Sequence, residues 1–314
     1  MSATTVPRCP LTYSTKVELL QRIASLDVIK LYRRIGLDVS SEFEGIAEFG
    51  FYYAPHSCVK FFYPAVCGSA LFYQQLQLKG NYYEEHKFEF ALAADFIKPF
   101  ARVLEVGCGD GAFAKFLSSK HPDYLGIETN PAAVVAAQAA GINVENIMLE
   151  QMVERQYSAF DVVCAFQVLE HVADAKAFLE KMLALLSANG YLILSVPNDD
   201  GFIGKTLNHI YNVPPHHVTR WNEAALRHIG YQFKLKVCAV AFEPLPHVHW
   251  QWYREAMFFD RLRARFAPSY RCAVDLRFST RLIVKFSNFL SAMNQKELAA
   301  EPLLGHTLVI VFQK

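Results

Sequence analysis

An excess of charge of either sign is missing from this 314-residue sequence: 31 Lys and Arg face 30 Asp and Glu, a formal +1. That argues against a general nucleic-acid binder, whose affinity rests largely on phosphate contacts made by an excess of cations. Long apolar runs are missing as well. The longest uncharged stretch, 61–78, is broken by Pro64, Gly68, Gln74, Gln75 and Gln77. It therefore lacks the roughly 20 mostly apolar residues of a membrane helix, and no span is expected. The first fifteen residues have no basic start followed by an apolar core, the pattern of a secretory signal, so a cytoplasmic location is expected. The seven cysteines, at 9, 58, 67, 108, 164, 238 and 272, are odd in number and scattered. They predict reduced core thiols rather than a disulfide framework. Internal repeats and low-complexity tracts are also absent.

What is present is a globular composition, 53% hydrophobic and 14% aromatic, long enough for two domains or one domain with large additions. Residues 14–36 read as an amphipathic helix, and the aromatic-rich stretch 41–90 as short extended pieces followed by helices. Together, 1–90 is expected to form a helical and aromatic N-terminal cap. From 101 onwards, β-branched runs alternate with Ala/Leu-rich helical stretches, the pattern of βαβ units and a parallel sheet. Strands are predicted at 102–106, 123–128, 142–146, 160–165, 190–196, 231–242 and 307–313. Helices are predicted near 111–119, 131–140, 150–155, 174–187 and 222–229, with a loop over 198–221. A helical insertion over about 244–303 precedes the last strand.

The segment Val103-Leu-Glu-Val-Gly-Cys-Gly-Asp-Gly-Ala-Phe113 sets Gly107, Gly109 and Gly111 where a buried strand turns into a helix. Glycine suits such a turn because the backbone bends tightly and passes close to a ligand. Glu128 ends the next strand about 20 residues on, where a carboxylate can accept both hydroxyls of a ribose. Glu105 lies inside the apolar strand and needs a donor or cation. These features fit a dinucleotide or another adenosine-containing cofactor. An ordinary tight turn is the plainer alternative.

Three segments narrow the choice: Glu105 before the loop, Phe160-Asp-Val-Val-Cys-Ala-Phe-Gln-Val-Leu-Glu-His-Val172, and Ser195-Val-Pro-Asn198. Together they resemble the class I S-adenosylmethionine-dependent methyltransferases, in the group of ubiquinone-type and sugar O-methyltransferases. The resemblance covers about 85–242 and the last strand. It implies an α/β fold with a Rossmann-like seven-stranded sheet, its last strand antiparallel, carrying the N-terminal cap and the helical insertion, so that 91–314 is the cofactor-binding domain. It also implies S-adenosylmethionine as methyl donor. Gly107, Cys108, Gly109 and Gly111, with Glu105 nearby, would wrap its methionine part. Glu128, with Thr129 beside it, would hold the ribose, Glu150 and Gln151 would flank the adenine, and Phe166 and Gln167 would line the methyl-bearing side. Position 128 is Glu where many relatives have Asp.

A hydroxyl acceptor must lose its proton, and histidine is the natural base. His171, His216 and His217 fall where the strand C-termini should open onto the ligand crevice, and are the catalytic candidates, with His217 or His216 expected as the base and His171 in reserve. The paired prolines before His216 stiffen its approach. Glu170-His171 occupies the position where ubiquinone-type relatives carry acidic and His residues that can bind a divalent ion. Gln167 replaces the earlier acid of that set, so no metal is expected. Some relatives also begin with two Cys pairs of the zinc-knuckle kind. Here Cys9 and Cys58 face Thr12 and Pro55 where partners would stand, two thiols too few for a tetrahedral site, and His56 is the sole substitute.

The leading expectation is O-methylation of a sugar or sugar-like small molecule. A phenolic or lipid acceptor, suited to the aromatic cap, is the alternative, and an NAD-dependent oxidoreductase is the alternative of another class. Residues 250–285 hold Arg254, Arg261, Arg263, Arg265, Arg271, Arg277, Arg281 and Lys285 against Glu255, Asp260 and Asp275. Arg forks suit phosphate or carboxylate. The insertion is thus read as a lid over an anionic, phosphorylated or nucleotide-linked acceptor, or else as a solvated helix face.

Overall fold

A computed structural model describes residues 6–78, 87–120, 122–155, 160–266, 272–293 and 303–314. The chain divides into two compact units, one of 1–69, 197–222 and 242–306, the other of 70–196, 223–241 and 307–314. Residues 70–90, expected with the cap, fall in the second unit, and the insertion falls in the first.

The first unit opens with strand β1 (Glu18–Ala24) and helix α1 (Ser25–Arg33), where one long helix was expected. Side chains on β1 alternate, Gln21 and Ile23 buried and their neighbours exposed, because the strand pairs antiparallel with β2 (Glu48–Ala54). Strand β3 (Val59–Tyr63) continues the sheet. The aromatic residues thus build a sheet core rather than a helical cap: Phe51 stacks on Phe62 at 4.5 Å and Phe43 on Phe49 at 5.7 Å. Such contacts add to the apolar area removed from water.

The second unit begins with α2 (Ala70–Gln77) and α3 (Phe88–Asp95). The expected alternation follows: β4 (Arg102–Val106), α4 (Ala112–Phe116), β5 (Asp123–Ile127), α5 (Pro131–Ala139), β6 (Val144–Glu145), α6 (Leu149–Glu154), β7 (Phe160–Phe166), α7 (Ala175–Leu185) and β8 (Leu186–Pro197). The short β9 (Thr219–Arg220) returns to the first unit and pairs with β3. Then come α8 (Glu223–Phe233), β10 (Lys236–Pro244), the insertion helices α9 (Trp250–Phe266) and α10 (Phe278–Met293), and β11 (Leu304–Gln313).

Seven strands form one sheet in the order β10-β11-β8-β7-β4-β5-β6. The pairs β4/β5, β4/β7, β5/β6 and β7/β8 are parallel. Strand β11 runs against β8, since Lys314 N donates to Gly190 O at one end and Asn198 N donates to His306 O at the other. The strand order reverses at β4, so the C-terminal ends of β4 and its neighbours diverge there, the place where open α/β sheets take ligands. Among the described residues no helix is long and apolar enough to cross a membrane.

Candidate active site

The turn from β4 to α4 stands on glycines in the left-handed region: φ is +74° at Gly107, +55° at Gly109 and +81° at Gly111. An added Cβ at Gly107 would lie 2.6 Å from Val168 Cγ2, and one at Gly111 would collide with Ile142 Cδ1. The loop therefore lies where no larger side chain fits. At the end of β5, Glu128 is tied to this turn. Its Oε2 accepts from Gly109 N at 3.0 Å and its Oε1 from Asn130 N at 2.8 Å. With one donor on it, Oε2 has a second lone pair to offer, so the carboxylate is fixed beside the loop and still able to accept.

Residues 78–240, just over half the chain, match a family model described as a methyltransferase domain. The chain belongs to the class I S-adenosylmethionine-dependent methyltransferases. S-Adenosylmethionine is its methyl donor, and the NAD-dependent alternative falls. The methyltransferase is 34% identical over 103 residues to the ubiquinone biosynthesis O-methyltransferase of Azorhizobium caulinodans, covering 31% of this chain and 40% of that protein. The protein of the same name from Acinetobacter baylyi is 29% identical over 104 residues, covering 31% and 44%. The chain thus spans less than half the length of these curated relatives. A methyltransferase from Archaeoglobus fulgidus, 15% identical, aligns over 79% of this chain and 95% of its own, with a TM-score of 0.48.

The methyltransferase distributes the other expected cofactor residues unevenly. Glu105 is buried, and its Oε2 accepts from Tyr124 Oη at 2.5 Å. Burial pushes its carboxyl up to about 8, against the smaller opposing effect of that hydrogen bond. The Cys108 thiol is also buried, with its pKa pushed up chiefly by burial, and it packs under Gly126. Glu150 binds Lys181 of α7 at 2.5 Å, which holds its carboxyl below the usual range. Gln151 caps α6 by accepting from Met148 N at 2.9 Å. Thr129 is exposed, its hydroxyl 3.5 Å from Glu128 Oε1. Phe166 points into the core, packed on Phe113 and Phe90 at 4.7 and 5.4 Å. Its neighbour Gln167 has φ +57° and reaches Glu89 Oε1 and Ser195 Oγ, both at 3.4 Å.

The candidate bases occupy different units. In the second, His171 closes the single-turn helix Leu169–His171 after β7, with Nδ1 3.0 Å from Tyr73 Oη and the rings edge-on at 5.8 Å. The preceding Glu170 is buried, and burial pushes its carboxyl up to about 8. In the first unit, His216 and His217 are buried and stack at 4.4 Å. Their Nδ1 atoms lie 3.1 Å from Tyr211 O and 3.5 Å from Asn212 Oδ1. Sequence reasoning missed Tyr73, Glu89, Tyr124 and Ser195. Glu89, buried in the first turn of α3, accepts from Ser195 Oγ at 3.1 Å. A charged residue inside the apolar run 88–94 was the available signal.

The N-terminal cysteines take up ordinary packing: Cys9 Sγ lies 3.2 Å from Ser57 Oγ, and Cys58 Sγ donates weakly to Pro55 O at 3.9 Å. In the insertion, among the described residues, Arg277 and Arg263 are already bound to acids. Arg277 grips Asp275 through Nε and Nη2, and Arg263 grips Asp260. Arg271 lies outside the described residues.

Proposed function

We propose that the methyltransferase acts on a hydroxyl oxygen of a small-molecule acceptor, with His171 as the base. The hydrogen bond between His171 Nδ1 and Tyr73 Oη carries this reading. When Nδ1 holds the ring proton and donates to Tyr73, Nε2 is the basic nitrogen of the ring, the atom that would take the hydroxyl proton. Bound S-adenosylmethionine supplies a methyl already activated on a sulfonium. The chain's own residues then need only align the acceptor and take its proton. Gly107 to Gly111 and Glu128 hold the methionine and ribose parts in this reading, and Gln167, fixed by Glu89 and Ser195, faces the methyl-bearing side. His216 and His217 are the reserve bases.

For the acceptor we favour a phenolic or lipid hydroxyl over a phosphorylated sugar. The phosphorylated or nucleotide-linked form of the sugar reading leaned on the arginines of the insertion, and Arg263 and Arg277 are occupied by Asp260 and Asp275. The relatives named for O-methylation in ubiquinone biosynthesis support the same preference. The test is S-adenosylhomocysteine formation by purified protein against pools of phenols, sugars and nucleotide-linked sugars. Turnover should appear in the phenol pool and fall about 10²–10⁴-fold in His171→Ala with cofactor affinity kept. Near-wild-type turnover in that variant removes His171 as base, and turnover confined to nucleotide-linked sugars removes the acceptor preference.

A further inference from the structure

Helix α10 is turned with its large apolar side chains to solvent. Phe278, Leu282, Phe286, Phe289 and Met293 are each between 52% and 74% exposed. At 3.6 residues per turn, all five fall within an arc of about 80°, a stripe about 22 Å long. The buried residues are Thr280, Ser287 and Ser291 on the opposite face. Their hydroxyls are used inside the fold: Thr280 donates to Asp275 Oδ2 and Ser287 to Val284 O, each at 2.8 Å. A helix that packed only for its own unit would bury the phenylalanines and expose the serines. The stripe leaves on the order of 500 Å² of apolar surface in water, at the upper end of what monomers tolerate without a use for it.

Charge points to the occupant. Arg281 and Lys285, both exposed, lie along one edge of the stripe, and 278–293 contains no acid. Arg261, Arg265 and Phe266 are exposed near the end of α9, which packs against α10. A second copy of α10 would set its cations against these, and 278–293 offers no carboxylate to offset them. An aromatic stripe edged by cations instead matches an element lying in the plane of a membrane interface, its rings among the acyl chains and its cations at anionic headgroups. We propose that α10 docks the methyltransferase onto an anionic lipid bilayer. This goes beyond the acceptor reading and does not rest on it.

The test is flotation of the full chain with vesicles of phosphatidylcholine alone and with about one third phosphatidylglycerol, alongside sedimentation to read the oligomeric state. The wild type should float with the anionic vesicles, less so at high salt, and weakly with the neutral ones. Phe286→Ser with Phe289→Ser should lower partitioning about tenfold or more while leaving cofactor binding and the circular dichroism spectrum unchanged. Arg281→Gln and Lys285→Gln, which leave the apolar stripe intact, should each weaken it about fivefold. Failure of the wild type to bind anionic vesicles overturns the proposal, as does unchanged binding by both sets of variants. A dimer that the Phe→Ser changes dissociate, without vesicle binding, assigns the stripe to a second copy instead.

Discussion

Replacing Glu105 by Gln should flatten part of the pH dependence of stability. Glu105 lies inside β4, fully buried, with the Tyr124 hydroxyl at 2.5 Å. Burial raises its carboxyl from an ordinary 4.5 to about 8. At neutral pH the folded chain therefore keeps a proton that the unfolded chain has released. Because the unfolded state binds fewer protons across this window, the group's stabilising effect is complete below about pH 4.5 and is lost progressively up to about pH 8. At 1.36 kcal/mol per pH unit, the separation is equivalent to about 4–5 kcal/mol. Glutamine keeps an acceptor for Tyr124 and does not titrate. Urea unfolding at a series of pH values should give equal stabilities for the two proteins near pH 5 and a variant that is more stable by a few kcal/mol near pH 9. Buried Glu170, raised to the same value, leaves a second slope of the same sign, so the variant should keep a residual fall in stability towards pH 8. Parallel curves for wild type and variant would refute the reasoning.

Gly107→Ala places a Cβ 2.6 Å from Val168 Cγ2 at a φ of +74°. It should lower stability by about 1–3 kcal/mol and weaken cofactor binding, read by urea unfolding and calorimetry. Tyr73→Phe keeps the ring beside His171 and removes only the hydroxyl; the pH profile of kcat should move with cofactor affinity unchanged, and an unmoved profile would leave Tyr73 as packing. Arg220 is buried over Phe51 at 4.7 Å, donates to Asn212 O at 2.6 and 3.1 Å, and lies 3.6 Å from Asp199. Arg220→Ala strips Asp199 of that charge and should destabilise by about 3–5 kcal/mol in urea titrations; a loss under about 1 kcal/mol would mean that Lys60, 2.6 Å from Asp199, compensates alone.

The seven-stranded sheet was legible because its parallel strands are buried on both faces and read as apolar runs closed by Gly, Asn or Glu. In the first unit the extended pieces of 41–90 were legible as β2 and β3, whereas β1 was not. Glu18–Ala24 satisfies a helical period as well as an alternating one, and only its pairing with Glu48–Ala54 decides for strand. Register explains the Glu105 partner: Glu105 pairs with Gly126 across β4/β5, which places Tyr124 two residues back on the same face. Phe166 was expected to line the ligand side, yet the alternation of β7 sends it into the core with Phe113 and leaves Gln167 at the strand end. The Glu89–Ser195 contact joins residues 106 apart, beyond any local pattern. The arginines of 250–285 read as a net excess, whereas Arg263 and Arg277 pair with acids three and two residues away, a spacing that a pairwise count would have caught.

The most direct measurement of the account is calorimetric titration of the wild type and Glu128→Ala with S-adenosylmethionine, S-adenosylhomocysteine and NAD. Glu128 is fixed beside the glycine turn by Gly109 N and Asn130 N. Loss of two charge-assisted ribose hydrogen bonds, at about 1.5–3 kcal/mol each, should weaken both adenosyl ligands more than tenfold. The wild type should bind both and show no comparable affinity for NAD. Unchanged adenosyl affinity in Glu128→Ala, or tight NAD binding by the wild type, would contradict the assignment of the glycine turn and its acid as the cofactor site.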